Sequence, residues 1–365
     1  MRLGDCGKTN LHTYSDKEKW SLIRYLDTGS ITEGRIDEIQ TLYPGVDKIP
    51  SRARRKASVG DILFSTVRPN QKHYGIIEAG TENLLVSTGF TVVTVDTTIA
   101  DPYFIYYYLT QSSVIESLQA IAEQSTSTYP SIKPSDIEDI ELDLPELETQ
   151  KKIGSTLRML DRKIALNEEI NDNLQQQDQA IYSSMFIDNP DPAWSHGHLS
   201  DLITVKYGKD HKKLADGIYP VYGSGGIMRY VERPLYNKES VLIPRKGTLN
   251  NVMYVNQPFW SVDTMFYTEM KLPNVAKFVY HFVKAKDLAS MNAGSAVPSM
   301  TTDILNAMEV VIPSASALEE FESLVAPMYE AMEANDVQSK ALSQMRDTLL
   351  PKLMSGEIDV SDIQL

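Results

Sequence analysis

Hydrophobic and polar positions follow an order along the chain that occurs twice. In each half, a segment of mixed strand and helix character leads to a proline, Pro145 or Pro313. After each proline, apolar residues recur at spacings of three and four, which is typical of a long amphipathic helix. The pattern predicts two mixed α/β globules, each followed by one long helix.

The two halves match at nearly one offset, 168 residues. The matched segments are 142–145 with 310–313, 130–132 with 298–300, 136–137 with 303–304, and 103–108 with 277–282. One such match is expected by chance, but several at nearly the same offset indicate an internal repeat.

The two predicted helices repeat the same apolar positions. They are Ile153, Leu157, Leu160, Ile164, Leu174, Ile181 and Met185 in the first helix, and Phe321, Val325, Met328, Met332, Leu342, Leu349 and Leu353 in the second. No glycine or proline interrupts 155–187, so we expect one continuous helix there. The second helix is expected to end near Pro351 and Gly356.

The polar residues that interrupt these apolar positions also occur at equivalent places in the two helices. Asn167 corresponds to Asn335 and Asn171 to Ser339, and Asp178 corresponds to Arg346. If the helices pair as an antiparallel coiled coil, Asn171 lies opposite Asn335 and Asn167 opposite Ser339, a polar layer that fixes register. The alternative is that each helix packs only on its own globule.

The predicted fold class is therefore α+β, with two mixed α/β domains joined by two long helices and a pseudo-twofold repeat. The predicted boundaries are 1–145 for the first domain, 146–187 for the central helix, 188–313 for the second domain, 314–356 for the C-terminal helix and 357–365 for an acidic tail.

Composition indicates a soluble protein. Among the 365 residues, 42% are hydrophobic and 23% are charged, with a net charge of −14. The single cysteine, Cys6, excludes an internal disulfide framework and fits a reducing compartment. No apolar run reaches the roughly 18 residues of a membrane span, and no signal peptide is apparent, so we expect a cytoplasmic protein with no membrane contact.

A net charge of −14 by itself argues against binding to nucleic acid, but the distribution of charge along the chain changes this picture. Residues 48–77 hold seven bases and one acid, and residues 204–246 hold nine bases and four acids. The two basic segments stand at comparable places before the later strands of each half. Such segments are typical of phosphate contact, although a charge run is often only a solvated face.

Double-stranded DNA is therefore the predicted partner, with arginine suited to guanine edges and asparagine to adenine. The candidate DNA-binding residues are Arg52, Arg54, Arg55, Lys56, Arg68, Asn70, Lys72, Lys206, Lys209, Lys212, Lys213, Tyr222, Ser224, Arg229, Arg245, Lys246 and Asn250.

Motifs for catalysis are incomplete. Residues 7–9 end like a phosphate-binding loop, but Arg2 stands where its first glycine is required. The glycine-rich segment 222–226 predicts a turn, 196–198 predicts a surface loop in place of a metal site, and 188–192 predicts a linker. We expect no catalytic residues, no cofactor and no metal.

Several segments resemble one known family, the specificity subunits of type I restriction-modification systems. The resemblance is strongest from Leu144 to Leu174, through Gln150, Asp161 and Asn167, and at 349–358 (LLPKLMSGEI). The segment 60–64 is similar to a strand of the family's target-recognition domains, and Gly294–Ser295 to the turn before their last strand. Departures are Glu146 in place of a second proline, the weaker second copy at 314–320, and Gln124–Ser125 where the second half has Gly294–Ser295.

This resemblance implies a sequence-specific DNA-binding subunit with no catalytic activity. Each target-recognition domain would read one part of a bipartite asymmetric site, and the two helices would set the gap between the parts. Two methyltransferase subunits and a motor-nuclease subunit would be the protein partners. Two other classes stay open: a scaffold of two globules without a DNA role, and a nuclease or methyltransferase in its own right.

Overall fold

The computed structural model describes residues 1–80, 82–125, 129–291 and 299–361. The chain divides into two compact units. Unit 1 consists of Met1–Asn167 and Val337–Leu365, and unit 2 consists of Glu168–Asp336.

Unit 1 contains two four-stranded sheets and a short hairpin. Its strands are β1 (Gly7–Thr9), β2 (Ile23–Leu26), β3 (Ile31–Thr32), β4 (Arg35–Ile36), β5 (Gln40–Leu42), β6 (Ala53–Lys56), β7 (Ile62–Ser65), β8 (Tyr74–Ile76), β9 (Leu84–Ser87) and β10 (Phe90–Val95). The sheet orders are β1-β10-β7-β8 and β5-β2-β9-β6, and β3 pairs with β4. In the second sheet β2 and β9 are parallel, and the other pairs in unit 1 are antiparallel.

The helices of unit 1 pack on the first of these sheets. They are α1 (Leu3–Cys6), α2 (Pro102–Leu109), α3 (Ser112–Glu123), α4 (Pro134–Glu138) and the parts of α5 (Leu147–Tyr182) and α9 (Ala315–Met354) that lie in this unit. Helix α2 begins where the Asp101 carboxylate accepts the Phe104 N–H at 2.9 Å, with Pro102 at the first helical position. The core joins Phe64 and Phe104 to Leu157 of α5 and to Leu353.

Unit 2 repeats this order. Its strands are β11 (Ser195–His198), β12 (Ile203–Tyr207), β13 (Asp216–Gly223), β14 (Gly226–Val231), β15 (Ser240–Pro244), β16 (Met253–Val255), β17 (Trp260–Ser261), β18 (Met265–Met270) and β19 (Glu309–Ile312). The sheet orders are β12-β18-β15-β16 and β14-β13-β17, and β11 pairs with β19.

The remaining helices are α6 (Leu199–Leu202), α7 (Ala276–Lys284), α8 (Thr302–Asn306) and α9 (Ala315–Met354). The core of unit 2 packs Phe266 of the sheet and Phe278 of α7 against Tyr182 and Phe321 from the long helices. A second core lies between the two sheets around Phe259.

The internal repeat is confirmed by topology. The order β1-β10-β7-β8 corresponds to β12-β18-β15-β16, and β5-β2-β9 corresponds to β14-β13-β17, including the parallel pair. Strand β6 of unit 1 has no counterpart among the described strands of unit 2. The structure is therefore a mixed α/β fold built twice, with two long helices.

The predicted long helices are present, with different ends. Helix α5 ends at Tyr182 and passes into a π-helical turn, Ser183–Asp188, which ends one residue beyond the predicted range 146–187. Helix α9 continues through Pro351 to Met354, and Gly356 follows with φ +74°. The described part of the predicted acidic tail packs on unit 1, since Val360 is 2% exposed.

One local prediction was wrong. Residues 196–198 were expected as a surface loop, but they form β11, which pairs with β19 far along the chain. The predicted turn at Gly294–Ser295 lies outside the described residues.

Candidate nucleic-acid interface

In unit 2, the connection between β17 and β18 brings three parts of the predicted basic segment 204–246 together. The Lys209 N–H donates to Ser261 O at 2.7 Å, and the Arg245 N–H donates to Thr264 O at 2.8 Å. The Val262 N–H donates to Tyr222 O at 3.1 Å. The end of β12, the 223–226 turn and the segment after β15 therefore meet around residues 261–265.

Several cations at this connection face solvent. The side chains of Lys209, Lys212, Lys213 and Lys246 are exposed. Arg245 is half-buried: its Nη1 donates to Asp263 O at 3.1 Å, and its guanidinium lies 5.5 Å from the Tyr207 ring centroid. The group can therefore present both flexible lysines and one oriented arginine to a phosphate or a base edge.

Other predicted residues of unit 2 support the loops themselves. Arg229 donates to Leu214 O at 2.9 Å and to Asp216 at 2.8 Å, which ties β14 to the start of β13. Lys206 is ion-paired with Glu269 at 3.5 Å. Asn250 Nδ2 donates to Asp287 at 3.1 Å, and this bond holds the pKa of the Asp287 carboxyl below its usual range.

The position of Tyr222 differs from what a DNA contact requires. Its side chain is 8% exposed in the second core of unit 2, and burial raises the pKa of its hydroxyl. The predicted turn at 223–226 does form, and Ser224 O accepts the Asn251 side-chain amide at 2.8 Å. Ser224 thus lies at the surface of this group of cations, whereas the Tyr222 side chain lies in the core beneath it.

Substitution of Gly208 tests how tightly the connection between β17 and β18 is packed. A Cβ at Gly208 would lie 2.0 Å from Val262 O, a backbone atom that cannot move aside alone. We expect Gly208→Ala to lower the free energy of unfolding by about 1–3 kcal/mol, as measured by urea denaturation. Gly225→Ala is the matched control, because nothing lies within 4 Å of a Cβ there; equal losses in both variants would contradict the close packing.

In unit 1, the corresponding connection between β9 and β10 holds two predicted segments. The Thr88 N–H donates to Arg52 O at 2.9 Å, and the Thr66 N–H donates to Gly89 O at 2.8 Å. The residues after β7 and the start of β6 therefore meet at 87–90.

The basic run 52–56 forms strand β6 and its side chains have different surroundings. Arg52 is exposed, whereas Arg54 and Arg55 are half-buried, and burial lowers the pKa of Arg55. Lys56 pairs with Glu18 at 2.5 Å and lies 5.1 Å from the Trp20 ring centroid. Within the two predicted basic segments, the runs 52–56 and 206–213 do not occupy comparable places, because β6 has no described counterpart and 206–213 begins in β12, the equivalent of β1.

A second pair of predicted segments does occupy equivalent places. We name residues 66–72 loop 1 and residues 245–251 loop 2; each begins directly after its strand, and these strands, β7 and β15, are equivalent. The Ile132 N–H donates to Thr66 O at 2.9 Å, and the Met300 N–H donates to Arg245 O at 2.9 Å. Because the same bond occurs once at each loop, the first residues of the two loops correspond.

Loop 1 presents its candidates from an unusual backbone. Arg68 and Lys72 have φ of +50° and +57°, left-handed values that are uncommon for residues other than glycine. Arg68 is exposed with its guanidinium 5.1 Å from the Tyr129 ring centroid, and Lys72 is ion-paired with Glu33. Asn70 is exposed, and its N–H donates to Gln119.

The predicted register residues lie within the units as follows. In unit 1, Asn167 Nδ2 donates to Gln338 Oε1 at 3.0 Å and to Ser339 Oγ at 3.1 Å. In unit 2, Asn335 Nδ2 donates to Asn171 Oδ1 at 2.8 Å, and Asn171 Nδ2 donates to Asp336 at 2.9 Å.

A family model described as type I restriction modification DNA specificity domain matches residues 53–176 and again residues 193–321. Together the two matches cover more than half of the chain. The chain belongs to the type I restriction-modification specificity subunits.

Curated relatives agree with this membership. The chain is 22% identical to the type I restriction enzyme HindI specificity subunit of Haemophilus influenzae, over 98% of each protein. It is 23% identical to the MjaIX specificity subunit of Methanocaldococcus jannaschii, over 83% of this chain and 79% of that protein. The crystal structure of a type I restriction-modification S subunit from M. genitalium has the same fold, with a TM-score of 0.64, 18% identity and coverage of 97% and 95%.

In the described part of this specificity subunit, no group of three or more metal-ligating side chains occurs, and no helix has both the length and the apolar character for crossing a membrane. Residues 7–9, which resembled part of a phosphate-binding loop, form β1.

Sequence reasoning missed one buried charged cluster of this specificity subunit. Lys277 of α7 is 4% exposed, pairs with Glu239 at 3.2 Å and Glu322 at 2.6 Å, and lies 5.2 Å from the ring centroids of Tyr254 and Tyr329. The only signal in the sequence was that Lys277 opens the repeated segment 277–282.

Proposed function

We propose that this chain is the non-catalytic recognition subunit of a type I restriction-modification complex and reads a bipartite, asymmetric DNA sequence, one part with each repeat. The family model concerns a DNA specificity domain and matches both repeats. The relatives are specificity subunits of type I restriction enzymes, and the similarity extends over almost the whole chain.

The observation that carries this proposal is the equivalence of loop 1 and loop 2. Both follow the same strand of the repeated sheet, and both carry arginine, lysine and asparagine, the side chains that bond guanine and adenine edges or phosphates. We assign direct reading to Arg68 and Asn70 in the first repeat and to Arg245 in the second. Arg52, Lys209, Lys212, Lys213 and Lys246 are assigned to phosphates.

For the long helices we propose an antiparallel coiled coil, with 1–145 and 188–313 as the DNA-reading domains and 146–187 and 314–356 as the helices. The bonds Asn167–Ser339 and Asn171–Asn335 support this register. Asp161 with Arg346, at 2.7 Å, gives a third pair whose numbers run in opposite directions. A polar layer of this kind fixes register and direction at a cost in stability.

As protein partners we propose two methyltransferase subunits and one motor-nuclease subunit, and a cytoplasmic location. Large apolar side chains remain exposed on both long helices, which is typical of surfaces that other proteins cover. They are Met159 (57%), Leu166 (47%), Ile170 (37%), Leu324 (47%), Val337 (62%) and Met345 (51%).

DNA binding by the purified chain, measured over a range of salt concentrations, tests the recognition proposal. Lys246→Ala is expected to weaken binding to random duplex and to reduce the slope of log K against log salt by about 1, the value for one phosphate contact. Lys271→Ala is the matched control, because Lys271 follows the opposite end of β18 and bonds Ser200 O. Equal slopes in all three proteins would contradict the assignment of Lys246, and absence of binding at low salt would favour a scaffold.

A further inference from the structure

Each unit contains one cluster of three polar side chains where a helix of the globule contacts α5 and α9. The first cluster consists of Tyr107, Asp161 and Arg346, and the second consists of His281, Asp178 and Tyr329. Asp161 and Tyr329, and likewise Asp178 and Arg346, are 168 residues apart, and Tyr107 and His281 hold the same place in the matched segments 103–108 and 277–282. The repeat thus contains two versions of one polar cluster, which we call the anchor of each unit.

In unit 1 the anchor has a permanent positive charge. Asp161 Oδ2 accepts the Tyr107 hydroxyl at 2.6 Å, and Asp161 Oδ1 accepts Arg346 Nη1 at 2.7 Å. Arginine keeps its proton at every pH at which a protein stays folded. The carboxylate is therefore always neutralised.

In unit 2 the corresponding carboxylate is deeper and its partners differ. Asp178 is 2% exposed, and its Oδ2 accepts both His281 Nε2 and the Tyr329 hydroxyl at 2.7 Å. Among the described residues no lysine or arginine bonds Asp178: Lys277 is held by Glu239 and Glu322, and Lys284 donates to the Tyr280 hydroxyl. A buried carboxylate without a counter-charge is costly, so the imidazole is the group that can neutralise it.

The surroundings of His281 suit an imidazole that carries two protons. Its Nδ1 lies 3.1 Å from Gln179 Oε1, while Gln179 Nε2 donates to Ser183 Oγ at 3.3 Å, so the amide presents an acceptor to the ring. Its Nε2 faces the carboxylate of Asp178. The ring also stacks on Tyr182, with 4.9 Å between centroids and 22° between planes, an arrangement that favours a cation. Both nitrogens therefore face acceptors.

We propose that His281 is a positioning residue which, as an imidazolium, holds α7 of the second globule against the two long helices, in the role that Arg346 has in unit 1. The other titratable or charged groups around it are Asp178 and Tyr182 on α5, Tyr329 on α9, and Tyr280 and Lys284 on α7 itself. Loss of the imidazole proton leaves Asp178 buried without a counter-charge and Nδ1 without a proton to donate.

The direction of the pH effect follows from proton counting. Since the imidazolium of His281 holds α7 in the closed state, its loss favours opening, and the closed state loses stability as the pH rises. One linked proton changes the opening equilibrium by at most about tenfold per pH unit. Unit 1 has no such dependence at its anchor, so α2 is an internal reference in the same molecule.

The experiment is amide hydrogen exchange with mass spectrometry on the full chain between pH 6 and 9, corrected for intrinsic exchange rates. We expect the opening constant of α7, divided by that of α2, to rise several-fold across this range in the wild type. The ratio is expected to be constant in His281→Gln, which keeps a donor but does not titrate. Tyr329→Phe is the matched control: it removes one bond to the same oxygen and should keep the dependence on pH.

A constant ratio in the wild type, or an unchanged rise in His281→Gln, would overturn the proposal. Should that variant not fold, ¹⁵N NMR of the wild-type imidazole decides: two protonated nitrogens at neutral pH support the proposal, and a neutral ring refutes it. Neither measurement depends on whether the chain binds DNA.

Discussion

Exchange of residues 1–145 for the corresponding segment of another specificity subunit is expected to change one part of the recognised DNA sequence and to leave the other part as it was. All of loop 1 and strand β6 lie in this segment, and loop 2 lies outside it. Each mismatched base pair costs about 1–3 kcal/mol, so a part that differs at two or three positions should no longer be modified at a detectable level. The measurement is long-read mapping of methylated bases in cells that express the chimaera with methyltransferase subunits.

The incoming segment has to keep the contacts that residues 1–145 make with α5, because α5 is not exchanged. The Asp101 N–H donates to the Gln150 side chain at 3.0 Å, and the Tyr107 hydroxyl donates to Asp161. A Cβ at Gly154 would lie 2.5 Å from the Asp101 carboxylate and 3.0 Å from Phe104 N, so α5 needs glycine where α2 begins. The donor segment should therefore keep Asp101 and Tyr107.

Exchange of residues 188–313 is the reciprocal control and should change the other part alone. A chimaera that folds and modifies DNA with both parts altered, or with neither altered, would contradict the assignment of one part to each repeat.

The repeat and the long helices could be predicted because their signal is local. Spacing of three and four marks the helices, and the copied interruptions at Asn167 and Asn171 identified residues that do bond Ser339 and Asn335. The spacing within each helix, together with the comparison of the two halves, was sufficient for these features.

The surroundings of the basic residues could not be predicted in the same way. The run 52–56 is a strand only because β9 pairs with it, and Lys56 is neutralised by Glu18 from another part of the chain. Likewise, 196–198 became a strand because β19 pairs with it. Pairing partners distant in sequence decide such positions, and a charge count along the chain does not contain them.

Lys277→Met is expected to destabilise unit 2 by about 3 kcal/mol, the lower end of the range for breaking a buried ion pair. The Lys277 side chain is 4% exposed, and its removal leaves Glu239 and Glu322, 34% and 24% exposed, facing each other without a cation. Tyr254 donates a hydrogen bond to Glu239 but supplies no charge. Urea denaturation, followed at several protein concentrations to exclude association, gives the change in free energy.

The matched control neutralises the carboxylates at the same time. In Lys277→Met with Glu239→Gln and Glu322→Gln, no charge is left unpaired, and the methionine fills the space between the rings of Tyr254 and Tyr329. This triple variant should recover most of the stability, because replacing a buried ionic group by groups of similar volume is often neutral. If the single variant were as stable as the wild type, or the triple variant no more stable than the single one, the ion pairs of Lys277 would not be what holds α7 in place.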